Sequence, residues 1–211
     1  MTTPDQPDTD LLVERACVGD ASARRALLTR HHDRLRRMVA LRMDRRLVAR
    51  VDPSDVVQEV LADAAGGLSD YLRRRPLPFY PWLRQLAWDR LVELHRKHVG
   101  ARRRSVTREE PGVLDLPDDS VAELASRLVD SASSPSERAV REEVRERVRA
   151  ALDGLAPADR EVLVLRHLEQ LSTDDTAAVL GLSRSAVKMR LLRALERLRG
   201  LLQRPGRGRE E

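Results

Sequence analysis

Four side chains near the C-terminus, Arg184, Ser185, Lys188 and Arg190, carry the chemistry of phosphate and base-edge recognition at helical spacing. They open a helix whose apolar positions Val187, Leu191, Ala194, Leu195 and Leu198 repeat with a 3.6-residue period. A second set lies at 71–104, where the chain's two Trp, two Tyr and one Phe all fall: Tyr71, Phe79, Tyr80, Trp82 and Trp88. Arg73, Arg74, Arg75, Arg84, Arg90, Arg96 and Lys97 are interleaved with them. Ring faces for unstacked bases beside cations for the backbone are what single-stranded nucleic acid requires. The plainer reading places some of these rings in a core, and Leu83, Leu86 and Leu91 offer at least two of them a place there. Tyr80 and Trp82, after a Pro-rich loop, are expected to face outward, and Trp88, nearer Leu91 and Val92, to be buried. A third set, Asp55, Gln58, Glu59 and Asp63, makes an acidic, polar face opposite Val56, Val57, Val60 and Leu61.

The elements that position these residues are helical. Ser172 or Thr173 can cap a helix whose first turn carries Asp174 and Asp175, with capping-box spacing from Ser172. Gly181 stands where a helix end takes positive φ, and Ser183 can cap the next helix. A capped helix, a Gly turn and a second helix with a basic leading face form a helix-turn-helix pattern, which an ordinary corner between two helices also produces. Asp52-Pro53-Ser54-Asp55 is a helix start, and the helix it opens is expected to end at Gly66-Gly67. Upstream, Asp10 can cap a helix reaching Gly19. Asp20 can cap a second with Leu27, Leu28, Leu35, Met38 and Val39 along one side. His31 and His32 fall inside it and read as surface or core-edge residues, since adjacent side chains diverge too far to share a metal. His95 and His98 lack a third ligand.

Between residues 105 and 136 the composition turns acidic and loop-like, through Glu109-Glu110-Pro111-Gly112, Leu116-Pro117-Asp118-Asp119 and a Ser-rich run, with Leu124 and Leu128 in a candidate short helix. This reads as a flexible linker. The expected architecture is all-α: a disordered lead-in over 1–9, a helical domain over 10–104, the linker, a four-helix unit with the helix-turn-helix over 137–202, and a tail over 203–211.

Whole-chain quantities narrow the function classes. Two small domains fit into 211 residues. Charged residues form 35% of the chain, with a formal net charge of +5 and bases that are almost all Arg, which favours a nucleic-acid or acidic partner. One cysteine, Cys17, excludes an internal disulfide and a multi-Cys zinc site. With no membrane-length apolar run and no signal-like N-terminus, the expectation is a soluble cytoplasmic protein without membrane insertion. No nucleophile–base pair, phosphate-cradling Gly loop or metal triad is present, so neither catalysis nor a cofactor is expected.

These residues together resemble one family closely. The chain is similar to an alternative sigma factor of bacterial RNA polymerase, of the small two-domain extracytoplasmic-function group. The VVQEV run at 56–60 resembles that family's core-polymerase-binding helix, FYPWLRQLAWDRLVELHRKH its promoter-melting and minus-ten segment, and residues 155–199 its minus-thirty-five domain. Thr176 and Asp89-Arg90 depart from the family's usual residues. The resemblance implies core RNA polymerase and promoter DNA as partners, with an anti-sigma protein as a further partner that it admits. It assigns polymerase docking to Asp55, Gln58 and Glu59. It assigns minus-ten capture and melting to Tyr80, Trp82, Arg84, Arg90, Arg96 and Lys97, and minus-thirty-five recognition to Arg184, Ser185, Lys188 and Arg190. A conventional helix-turn-helix regulator, binding duplex operators alone, leaves the aromatic–Arg segment unexplained. A recombinase requires a catalytic domain with strands, and no period-two runs occur in the first hundred residues.

Overall fold

The computed structural model describes residues 6–43, 45–98, 116–130 and 138–203, all of it helix and connecting turn, with no strand among those residues. No helix among them is long and apolar enough to cross a membrane. The chain divides into two compact units, Met1–Pro117 and Asp118–Glu211.

The first unit is built around α5 (Pro53–Arg74). Asp52 caps it, accepting a 2.7 Å bond from the Ser54 amide, and Pro53 fills a first-turn position that needs no donor. The helix does not end at Gly66-Gly67. It continues because its buried stripe does: Val56, Val57, Val60 and Ala64 are followed by Leu68, Tyr71 and Leu72. Two helical glycines cost about 1 kcal/mol each, which the burial of those last side chains offsets. Gly67 faces the Trp82 ring, and a Cβ there would make an ordinary contact with it at 3.8 Å. Arg75 ends α5 in the left-handed region, φ 40°.

Helices α1 (Gln6–Cys17), α2 (Ala21–Arg30), α3 (His32–Arg42) and the short α4 (Arg45–Val48) precede α5, and α6 (Phe79–His98) follows it. Helices α3, α5 and α6 pack on one another, with α1 and α2 paired beside them. The lead-in expected over 1–9 is shorter than that, since α1 already begins at Gln6 and Thr9 is buried, its hydroxyl 3.2 Å from His31 Nε2. The single helix expected after Asp20 is two, broken at His31. Asp20 holds the start of the first through the amides of Ser22 and Ala23, at 2.8 and 3.0 Å. The Ser22 hydroxyl, the Ala23 amide and Arg15 together hold the Asp20 carboxyl far below the ordinary carboxylate range.

In the second unit, α7 (Asp118–Asp130) packs on α8 (Arg138–Asp153). Residues 118–130 are therefore not linker. Val121, Leu124, Ala125 and Val129 form a buried helical stripe that the acidic surface residues hide in a composition count. The expected four-helix unit thus gains a fifth helix. The rest of the stretch read as linker, 105–115 and 131–136, lies outside the described residues, as do 1–5 of the lead-in and 204–211 of the tail. Helix α9 (Pro157–Leu163) runs into one π turn, Val164–Leu168, then come α10 (Thr173–Leu180) and α11 (Arg184–Gln203).

Candidate nucleic-acid interfaces

The α10–α11 corner is fixed by local chemistry. Ser172 Oγ accepts from the Asp175 amide at 2.9 Å. Thr176, fully buried where an apolar residue is usual, donates its hydroxyl to Ser172 O at 2.7 Å, so the polar atom is satisfied within its own helix. Gly181 takes φ 62°, and the Leu182 amide reaches back to Ala177 O at 2.9 Å, closing α10. Ser183 Oγ then accepts from the Ala186 amide at 3.2 Å and starts α11. Gly181→Ala is expected to cost about 1–2 kcal/mol through backbone conformation alone, since a Cβ there would meet nothing within 4 Å. Gly181→Asn, whose side chain tolerates that region, should cost less. Chemical unfolding of the two variants checks the order.

Helix α11 buries Val187, Ala194 and Leu198. The Arg197–Asp159 ion pair ties it to α9, with the aspartate side chain 9% exposed. Ser185 and Lys188 are exposed on its outward side. Arg184 is exposed but paired, its Nε 2.7 Å from Asp174 Oδ1 across the turn. Arg190 does not share the face of Lys188. Two positions on, at ~100° per residue, it points roughly 200° away and is half-buried. Sequence reading missed Met189 and Leu192, which occupy the centre of the outward face and are 47% and 50% exposed. The available signal was apolar residues falling off the core period. Behind the corner, burial and then Arg166 hold His167 below the ordinary imidazole range, while Arg127 of α7 donates to its carbonyl at 3.2 Å.

In the first unit the aromatic residues sort differently from the expectation. Tyr80 is buried, not outward-facing. Its ring lies 5.6 Å from that of His31 and under the Arg34 guanidinium at 3.7 Å. His31, expected at the surface or the core edge, is fully in the core, packed against Phe79 and Tyr80. The cause is the turn after Arg75, which folds the first turn of α6 back onto the body of the unit. Tyr71 and Phe79 meet edge to face at 5.4 Å. The Tyr71 hydroxyl donates to Leu77 O at 3.1 Å, and burial pushes its pKa up to about 12, keeping it a neutral donor. Trp82 is half-buried, stacked on Tyr71 with ring centroids 4.4 Å apart. Trp88, expected inside, is also half-buried, with the guanidinium groups of Arg42 and Arg84 over its ring at 5.1 and 5.4 Å.

Both of those arginines are buried, so Arg84 is interior in this state, and Arg42 is a core cation that no sequence pattern marked. Arg96 and Lys97 are exposed near the end of α6. Asp55, Gln58 and Glu59 are exposed on α5. Arg90 connects two of the sets, for its guanidinium pairs with Glu59 of α5 and, at 2.8 Å, with Glu93. The side chain of His98 and residues 102–104 lie outside the described residues.

Comparison with known proteins places the chain in a family. Residues 145–198, from within α8 to near the end of α11, match the family described as Sigma-70, region 4. The RNA polymerase sigma-E factor of Streptomyces avermitilis is 37% identical over 171 residues, covering 81% of this chain and 82% of that protein. The ECF RNA polymerase sigma factor ShbA of Streptomyces griseus subsp. griseus is 31% identical over 91% of this chain and 94% of its own length. The RNA polymerase sigma factor CnrH of Cupriavidus metallidurans is 31% identical over 91% of this chain and 93% of its own. These relationships displace the reading as a conventional duplex-binding regulator, and the chain belongs to the ECF family of RNA polymerase sigma factors.

Proposed function

We propose that the two units divide promoter recognition between them, the first engaging core RNA polymerase and the opened minus-ten strand, the second the minus-thirty-five duplex. The observation that carries this reading is the outward face of α11, presented by a capped Gly turn and bearing Ser185 and Lys188 at one-turn spacing. Arg184 joins them at the groove once its exposed pair with Asp174 gives way, a pair worth little in water. Arg190, half-buried and off that face, serves the phosphate flank. In the first unit, Trp82 offers the ring for an unstacked base while Arg96 and Lys97 track the strand. Tyr80 and Arg84 hold α6 in place from inside. Arg90 acts near the strand only as far as Glu59 and Glu93 release it. The chain catalyses nothing itself, and it works in the cytoplasm where polymerase meets the chromosome.

The test is a pull-down of core RNA polymerase by the full chain, followed by run-off transcription from a promoter selected by the assembled holoenzyme. Failure of both steps overturns the reading. The α5 face is checked separately. Gln58→Ala with Glu59→Arg is expected to weaken core binding at least tenfold, as loss of interface anchors does, with the unfolding midpoint lowered only modestly, since both residues are exposed and Arg90, losing Glu59, keeps Glu93. Wild-type affinity for core polymerase in this double variant removes α5 from the docking surface.

A further inference from the structure

Met189 and Leu192 are large apolar side chains on the side of α11 that faces away from Val187, Ala194 and Leu198. Single exposed apolar residues are ordinary on protein surfaces. These two are not single. They stand at i and i+3, one turn beyond Ser185, and the exposed cations Lys188 and Arg193 flank them on either side. We propose that Met189, backed by Leu192, reads the C5-methyl of a thymine in the major groove of the minus-thirty-five duplex. The inference rests on the proposed entry of α11 into that groove and adds a specificity residue to it.

The chemistry of the groove floor favours this occupant. Each base pair presents hydrogen-bonding groups there, and thymine adds the one methyl group. An unbranched, polarizable Met side chain can settle over that methyl without a fixed rotamer. A hydroxyl or amide in its place would seek the neighbouring acceptors instead. The flanking cations complement a polyanion on both sides, and Lys188 reaches toward phosphate or a base acceptor while Met189 lies over the floor. A helical protein partner would instead seat itself on a longer apolar row. Here the row extends only to the partly exposed Leu195 at its edge, and Glu196 takes the centre of the outward face one turn beyond Leu192.

The experiment uses holoenzyme assembled from the full chain and core RNA polymerase. An upstream element is first selected from randomised duplex. Each thymine in it is then replaced singly by deoxyuridine, which keeps the O4 acceptor and lacks the methyl. The expected result is one thymine at which losing the methyl weakens binding about fourfold, the equivalent of one methyl group left in water. Met189→Ala should bind the thymine and deoxyuridine duplexes alike at that position. Lys188→Ala should weaken both alike, with a shallower salt dependence, and keep the methyl preference. The assignment is overturned by a selected element without thymine, by indifference of the wild type to every replacement, or by a Met189→Ala variant that retains the preference. Loss of core-polymerase affinity in Met189→Ala without DNA overturns it too, and gives the patch to a protein partner. If Lys188→Ala and Arg193→Ala leave duplex affinity and salt dependence untouched, the groove reading of α11 fails with it. An intact lysine effect without methyl discrimination sinks only the thymine contact.

Discussion

Tyr80→Ala is expected to destabilise the first unit by about 3–5 kcal/mol, the range for truncating a buried aromatic side chain. The ring is 4% exposed, packed against His31 and roofed by Arg34, and its removal leaves a cavity at the contact of α6 with α3. Small domains hold only about 5–15 kcal/mol in total, so the variant should sit near its unfolding midpoint at modest denaturant. Both tryptophans, Trp82 and Trp88, lie in the first unit, which makes their fluorescence a local reporter during urea titration. Tyr80→Phe keeps the ring and should cost about 1 kcal/mol or less. An unchanged midpoint for the alanine variant contradicts a packed Tyr80. No pre-opened promoter should restore activity to it, because the defect is in the fold.

Trp82→Ala is expected to behave in the opposite way. One face of this indole is covered by Tyr71, and the side chain is half-exposed. A base stacked on the remaining surface contributes roughly 1–3 kcal/mol, so strand opening should slow by between about fivefold and a hundredfold. Losing the Tyr71 stack and the covered part of the ring costs the fold about 1.5–3 kcal/mol, less than truncating a fully buried aromatic. Core binding and closed-complex formation should therefore survive, and a promoter mismatched across the minus-ten region should recover most of the lost rate. Potassium permanganate footprinting of unpaired thymines measures the opening directly. Normal opening by Trp82→Ala, or no recovery on the mismatched template, removes Trp82 from the melting role and leaves it a packing residue.

The difference between these two neighbouring aromatics shows where sequence reading stops. Both follow the same Pro-rich loop, and both sit in the first turn of α6 among arginines. At ~100° per residue they point roughly 200° apart, but only the turn at Arg75 and residues 76–78 seats α6 so that Tyr80 meets His31 while Trp82 lies on Tyr71. The same holds for Arg42, Arg84 and Arg90. In the chain they are indistinguishable from exposed arginines, and burial or an ion pair becomes visible only once α3, α5 and α6 are packed.

What the amino-acid order determined by itself is whatever acts over a turn or two of chain. The Asp52, Ser172 and Ser183 caps, Pro53 and Gly181 place the starts and turns of α5, α10 and α11, because a side chain satisfies an orphan amide two or three residues away or a glycine relaxes a left-handed φ. The VVQEV run and the helix-turn-helix carried the family for the same reason, since both are local patterns. Tertiary structure decided the extent of α5 beyond Gly66-Gly67, and the length of the helix around Leu124 and its packing on α8. Burial against partners distant in sequence outweighs local propensity by several kcal/mol, and the identity of those partners is not written in the segment that receives them.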